Sequence, residues 1–348
     1  MKCRDYATNL PYTKEELLMN NRLQEKLALF AENNQRIRSD FVWQDGMAKR
    51  LVASVYAMGN HTLDSDAIRD CHKMIKDEVG IFSSFRGNLS LYIAAALSLH
   101  EQPEQLLSDM IQVYKLLKEE KFRSSDFLAA TVFEITTNAK SENFTQIVNE
   151  TKEFFDGMKA SHRLRVGGDD YIFAAMLALS DVSLHTGIEK LNHLYSQLRS
   201  EFGITTSGSS ILALSQMLVL GESTDECVRN TLQLNEALQE RKVRLDRTYV
   251  LPSLGVLGLL PIDKDVIIND LIAARDYLRD QKGFGALMVS TQELLLYAVS
   301  FVADSHKCDL ENSTTKANIT TNIANLIVAQ QVAMMVAIIA ASTAAASS

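Results

Sequence analysis

Residues 91–99 read LYIAAALSL, an apolar run relieved only by Ser98 and the hydroxyl of Tyr92. A segment that is hydrophobic all round, rather than along one stripe, belongs to a helix enclosed by neighbours, and its alanines let those neighbours approach closely. The run recurs as FLAATVFEI from Phe127, YIFAAMLAL from Tyr171, ILALSQMLVL from Ile211, LPSLGVLGLL from Leu251 and LLLYAVSFV from Leu294. Successive starts are 36, 44, 40, 40 and 43 residues apart. A period of about 40 residues is that of paired-helix repeats and not of an α/β domain.

Longer charged segments lie between these runs. In EQLLSDMIQVYKLLKEE (104–120), Leu107, Met110, Ile111, Tyr114 and Leu117 fall on one helical face, so one stripe is buried and the rest is wet. The short helices form an inner layer and the long ones an outer layer. Upstream, 63–80 extends the pattern as a long helix, 41–58 with Trp43 as its apolar partner, and 13–35 as a leading helix. The reading is an all-α fold of about seven tandem antiparallel hairpins in an α/α solenoid or toroid-like array, forming one domain over 1–303.

Start signals agree. Thr13–Glu16 and Ser223–Glu226 have the S/T-x-x-E form that satisfies free amides at a helix start, and Pro103 and Pro261 suit first turns. Pro252 either marks the first turn of its short helix or delays it. The polar, aperiodic stretch 304–317 is read as a linker. The last 25 residues, ANLIVAQQVAMMVAIIAASTAAASS, carry no charge and approach the length of a bilayer crossing. Asn325, Gln330 and Gln331 dilute them and no basic flank follows, so for 318–348 a helix docked on the last hairpin is preferred to membrane contact.

With 35 Lys plus Arg against 43 Asp plus Glu, the net charge is -8, which disfavours nucleic acid as a partner. Cys3, Cys71, Cys227 and Cys308 form no CxxC and no apolar leader opens the chain, so a cytoplasmic protein is expected. No HExxH, GxSxG or phosphate-loop pattern is present, and no two of the seven histidines are spaced to share a metal on a helix. Neither a cofactor nor a metal is expected, and the sequence leans away from an enzyme.

Seven residues nevertheless form a candidate binding set in the connections before the inner helices: Arg86, Asn88, Arg123, Asp126, Asp169, Asp170 and Tyr171. Cations near the ends of long helices complement the helix dipole, and Asn, Asp or Ser before a short helix caps it, so both have a structural explanation. Only Gly167-Gly168-Asp169-Asp170-Tyr171 exceeds it, because one helix start does not require two adjacent carboxylates.

The segments FRGNL (85–89), FRSSD (122–126), GGDDYI (167–172) and the Ala/Met-rich tail ending in serines resemble an uncharacterised bacterial family of Bacillus-type Firmicutes, a domain of unknown function. Gly168 stands where that pattern would have serine. The resemblance implies a helical fold and makes the tail a family feature, but it brings no activity, cofactor or functional residue. The expected function is binding of a protein or peptide on the concave surface of the array. One alternative is an α/α-toroid enzyme or small-ligand binder with its site in those connections. Another is a membrane adaptor acting through the tail.

Overall fold

The computed structural model describes residues 21–80, 84–219, 224–246, 250–260 and 262–311. Among them are fourteen α-helices and no strand. In order these are α1 (Asn21–Asp40), α2 (Gly46–Met58), α3 (Ser65–Glu78), α4 (Ser90–Ser98), α5 (Pro103–Glu119), α6 (Asp126–Asn138) and α7 (Phe144–Ser161). They continue as α8 (Tyr171–Ala178), α9 (Leu184–Phe202), α10 (Gly208–Val219), α11 (Thr224–Glu240), α12 (Leu254–Gly258), α13 (Lys264–Asp280) and α14 (Thr291–Glu311).

Burial follows the two kinds of segment. Every residue of α8 is buried, as an all-round apolar helix requires, whereas α5 buries one stripe of Leu106, Leu107, Met110, Val113 and Leu117. Ile111 and Tyr114, expected in that stripe, are only partly buried beside it. Each odd-numbered helix packs on the even-numbered one after it, and α2 packs on α4, α6 on α8, and α10 on α12. In addition α1 lies against both α13 and α14, and α2 against α14. Phe30 of α1 makes that junction, with ring centroids 5.1 Å from Phe284, 5.0 Å from Tyr297 and 5.1 Å from Phe301. Two buried ion pairs cross it, Lys26 with Asp304 and Arg50 Nε with Glu293 Oε1 at 2.6 Å.

Several boundaries differ from the sequence reading. The helix expected over 41–58 begins at Gly46, because Asp45 Oδ1 accepts from the amides of Met47 and Ala48 and so caps it. Trp43 therefore sits on the connection, 97% exposed, not in an apolar face. The leading helix runs to Asp40, past the expected 35. The linker expected from 304 is helical over its first part: α14 continues to Glu311, with Asp304, Ser305 and His306 buried. His306 Nε2 lies 2.8 Å from Asp270 Oδ2, so these polar residues face partners inside the fold and the domain passes 303. Pro103 opens α5 as expected, and Pro252 lies in a 3-10 turn (Leu251–Ser253) that leads into α12. Thr13, Ser223, Pro261 and 312–348 lie outside the described residues. Among those described, no helix is long and apolar enough to cross a membrane.

The long helices end by a repeated device. Lys118 Nζ donates to Phe122 O at 2.8 Å, Arg199 Nη1 to Thr206 O at 2.6 Å and Arg279 Nη1 to Val289 O at 2.7 Å, each a last-turn cation tied to the carbonyl of the connection that follows. After α5 and α11 the chain reverses through a left-handed residue, Lys121 (φ 67°) and Lys242 (φ 59°), with Phe122 N–H bonded to Leu117 O and Val243 N–H to Leu238 O. Glycine takes this conformation without the Cβ penalty, so Lys121→Gly is expected to stabilise the fold by about 1 kcal/mol, read as a rise in melting temperature.

Candidate functional site

A cavity of about 1000 Å³ lies where the start of α2 meets α3, the start of α4 and the connection between α13 and α14. Among the described residues its lining carries Arg38, Lys49, Arg50, Lys76 and Arg86 and a single carboxylate, Asp45, a local reversal of sign in a chain of net charge -8. The local sequence explains the placement. The segment GMAKRLVASVYAM puts Lys49 and Arg50 in the first turns of an otherwise apolar helix, so their stems are buried beside its capped end. The first amides of that helix, those of Met47 and Ala48, are taken by Asp45 Oδ1, so the cation side chains supply the positive charge of the cavity.

The cations are not equivalent. Arg50 is held by Glu293, and Arg86 Nη2 donates to Lys76 O while its Nε is buried without a partner among the described residues. Lys49 is only 9% exposed, and among the described residues no hydrogen bond or ion pair reaches its ammonium group. Burial first, and then the charge of Arg38, draws its pKa below the ordinary lysine value, against the opposing pull of Asp45. His72 Nε2 lies 2.8 Å from Ser90 Oγ, and burial followed by the charge of Lys76 lowers its pKa, so it is neutral at pH 7.

The seven sequence candidates divide. Arg86 and Asn88 line the cavity. Asn88 caps nothing: its Nδ2 donates to Asp126 Oδ2 at 3.0 Å across to the next helix pair, and α6 is capped by Ser125 Oγ on Leu128 N–H at 3.1 Å. Gly87 makes the approach possible, since a Cβ there would overlap Asp126 Oδ1. Burial raises the Asp126 pKa and Asn88 opposes it. Further round, the Arg123 amide donates to the Tyr171 hydroxyl at 3.4 Å, and the Tyr171 ring is stacked edge-on with Phe122 and Phe155 at 4.8 and 4.9 Å, so its role is packing.

The two adjacent carboxylates are held differently. Asp170 is buried, with Oδ2 accepting from Gly167 N–H at 2.7 Å and Oδ1 from Gln216 Nε2 at 2.7 Å, whereas Asp169 is exposed. Burial, then the charge of Asp169, pushes Asp170 up to about 7 despite those two bonds. Among the described residues no group of three or more His, Cys, Asp or Glu is placed to hold a metal. The sequence reading passed over Arg38, Lys49, Arg50, His72 and Lys76. The available signal was two adjacent cations inside a helix otherwise assigned to the apolar layer.

Comparison with known proteins adds a family. A family described as "Protein of unknown function (DUF4003)" matches residues 33–332, well over half of the chain. No curated protein and no solved structure matches it. The chain belongs to the DUF4003 family of proteins of unknown function.

Proposed function

We propose that the seven helix pairs close into an α/α toroid and that the protein binds a small anion, of the phosphorylated or polycarboxylate class, in the cationic cavity at the junction of its first and last pairs. Closure is supported by the packing of α1 on α13 and α14 and by the Phe30 cluster. A closed array offers no open concave groove, which favours a small ligand over a protein or peptide partner. The observation that carries the reading is Lys49: a residue only 9% exposed, its stem packed and its charge in the lining beside Arg38 and Arg50 without an ion-pair partner among the described residues, is stabilised when an anion arrives. A reducing, cytoplasmic setting is part of the proposal, supported by Cys71 and Cys227, both buried and neither in a disulfide among the described residues.

Thermal melting in inorganic pyrophosphate at constant ionic strength tests it. The wild type is expected to gain stability with pyrophosphate concentration by mass action. Lys49→Met keeps the stem and removes the charge, and is expected to weaken pyrophosphate binding about 10- to 100-fold, the range for one charged hydrogen bond. Equal thermal shifts in the two proteins, or none in the wild type, overturn the reading.

A further inference from the structure

Two connections flank the cationic cavity, and both expose large apolar side chains. Before α2 these are Val42 and Trp43, adjoining Gln44 in the lining. Before α14 they are Leu287, 103% exposed, and Met288, whose sulfur accepts from Arg38 Nη2 at 3.6 Å. Among the described residues, six large apolar side chains are more than half exposed, the other two being Leu164 and Ile204. All six lie on connections from an odd-numbered to an even-numbered helix, and none on the reverse connections. Scattered single exposures are ordinary, but confinement to one class of connection is not. In a toroid of alternating helices these connections share one end, so that end combines exposed apolar tips with the cations beside them, including Arg163 and Arg165 around Leu164.

We infer that this end docks on an anionic lipid surface, with a phosphate headgroup in the cavity against Lys49 and with Trp43 and Leu287 seated in the interface. The inference rests on the anion-binding reading above and names the source of the anion. Charge complementarity selects the occupant. The net charge of -8 repels an anionic membrane only at long range, because charges beyond about 8 Å are screened at physiological salt, so the local cations decide. Spacing selects a bilayer over a protein. Protein hot spots are contiguous and centrally desolvated, whereas separate tips interleaved with cations each bury independently in a planar interface, where tryptophan is favoured.

Trp43 is the one tryptophan of the chain, so its emission reports the contact directly. The full-length protein would be mixed with vesicles of phosphatidylcholine alone and of phosphatidylcholine with phosphatidic acid. A blue shift and co-sedimentation with the second vesicles only, both weakened by salt, are expected. Leu287→Ser is expected to lower vesicle affinity about tenfold, the worth of one buried leucine, while leaving the pyrophosphate thermal shift unchanged. Lys49→Met is expected to lower both. An unmoved Trp43 emission with the pyrophosphate shift intact overturns the docking and leaves the cavity reading standing; loss of both signals in the wild type overturns both. Co-sedimentation without a change in Trp43 emission assigns membrane contact to 318–348 and overturns the docking. An equal response to neutral vesicles overturns the headgroup assignment.

Discussion

Phe30→Ala is expected to destabilise the protein by about 3 to 5 kcal/mol, the range for removing a fully enclosed phenylalanine. Phe30 has no exposure, and its ring is shared between Phe284, Tyr297 and Phe301, all near the other end of the sequence. The three partners cannot collapse into the gap, because Tyr297 and Phe301 are fixed one turn apart on α14 and Phe284 is held on its own connection, where the carbonyl accepts from Arg279 at 2.8 Å. The cavity therefore persists and the loss sits at the high end of the range. Urea unfolding of both proteins measures it. If the junction between first and last pairs is integral to the fold, the midpoint drops and the transition stays single. A change below about 1 kcal/mol, the level of an ordinary surface substitution, would show that α1 rests on α13 and α14 without contributing to stability.

The second large effect depends on pH and comes from Glu134. This carboxyl lies within α6, wholly enclosed, with Asn138 Nδ2 at 3.2 Å and no cation in ion-pair distance among the described residues. Burial alone pushes its pKa up to about 8. In the unfolded chain the group ionises near its usual value of 4.5. Between those two values the unfolded state releases the proton and the folded state retains it, so stability is full at acid pH and falls as the pH rises toward 8. Glu134→Gln keeps the shape of the protonated acid and removes the titration. It is expected to be nearly neutral at pH 4 and to stabilise by about 2 to 4 kcal/mol at pH 8, since each tenfold difference in proton affinity between the two states is worth about 1.4 kcal/mol. Unfolding free energies at the two pH values decide it: parallel pH profiles for the two proteins mean that the buried group is ionised in the native state. Tyr92 provides an internal check, since its hydroxyl is pushed upward mainly by burial and further by a charge on Glu134, which the substitution removes.

Much of the helical layout was legible because it rests on composition over long stretches. Runs such as YIFAAMLAL declare an enclosed helix whatever surrounds them, and Val148, Phe155 and Met158 in α7 sit on a stripe that periodicity finds. Features resting on a single residue were less legible. Trp43 belongs with the apolar partner helix by composition, yet the cap at Asp45, two residues on, places it in solvent. Asp304, Ser305 and His306 look like linker because polarity and aperiodicity are local properties, whereas Lys26 and Asp270, which make their burial tolerable, are remote in sequence. The candidate site shows the same division. Arg86 and Asn88 are legible because they stand in a conspicuous turn. Lys49 is not, because its lack of a partner among the described residues is a fact about space, and a lysine inside a helix carries no such mark in sequence.

The seating of α1 on the last two helices also bears on how the chain is made. Lys26 and Asp304 are 278 residues apart, and bringing so distant a pair together carries a loop-closure entropy of about 5 kcal/mol, which is met only after the intervening helices have formed and shortened the span. During synthesis the earlier pairs emerge first and stack locally, with the inner face of α1, Phe30 included, uncovered. Every amide of α1 can be in its final helix while its principal apolar partners are still unmade. The seam supplies the contacts of greatest sequence separation, and the enclosure of Phe30 is complete only once α13 and α14 have left the ribosome.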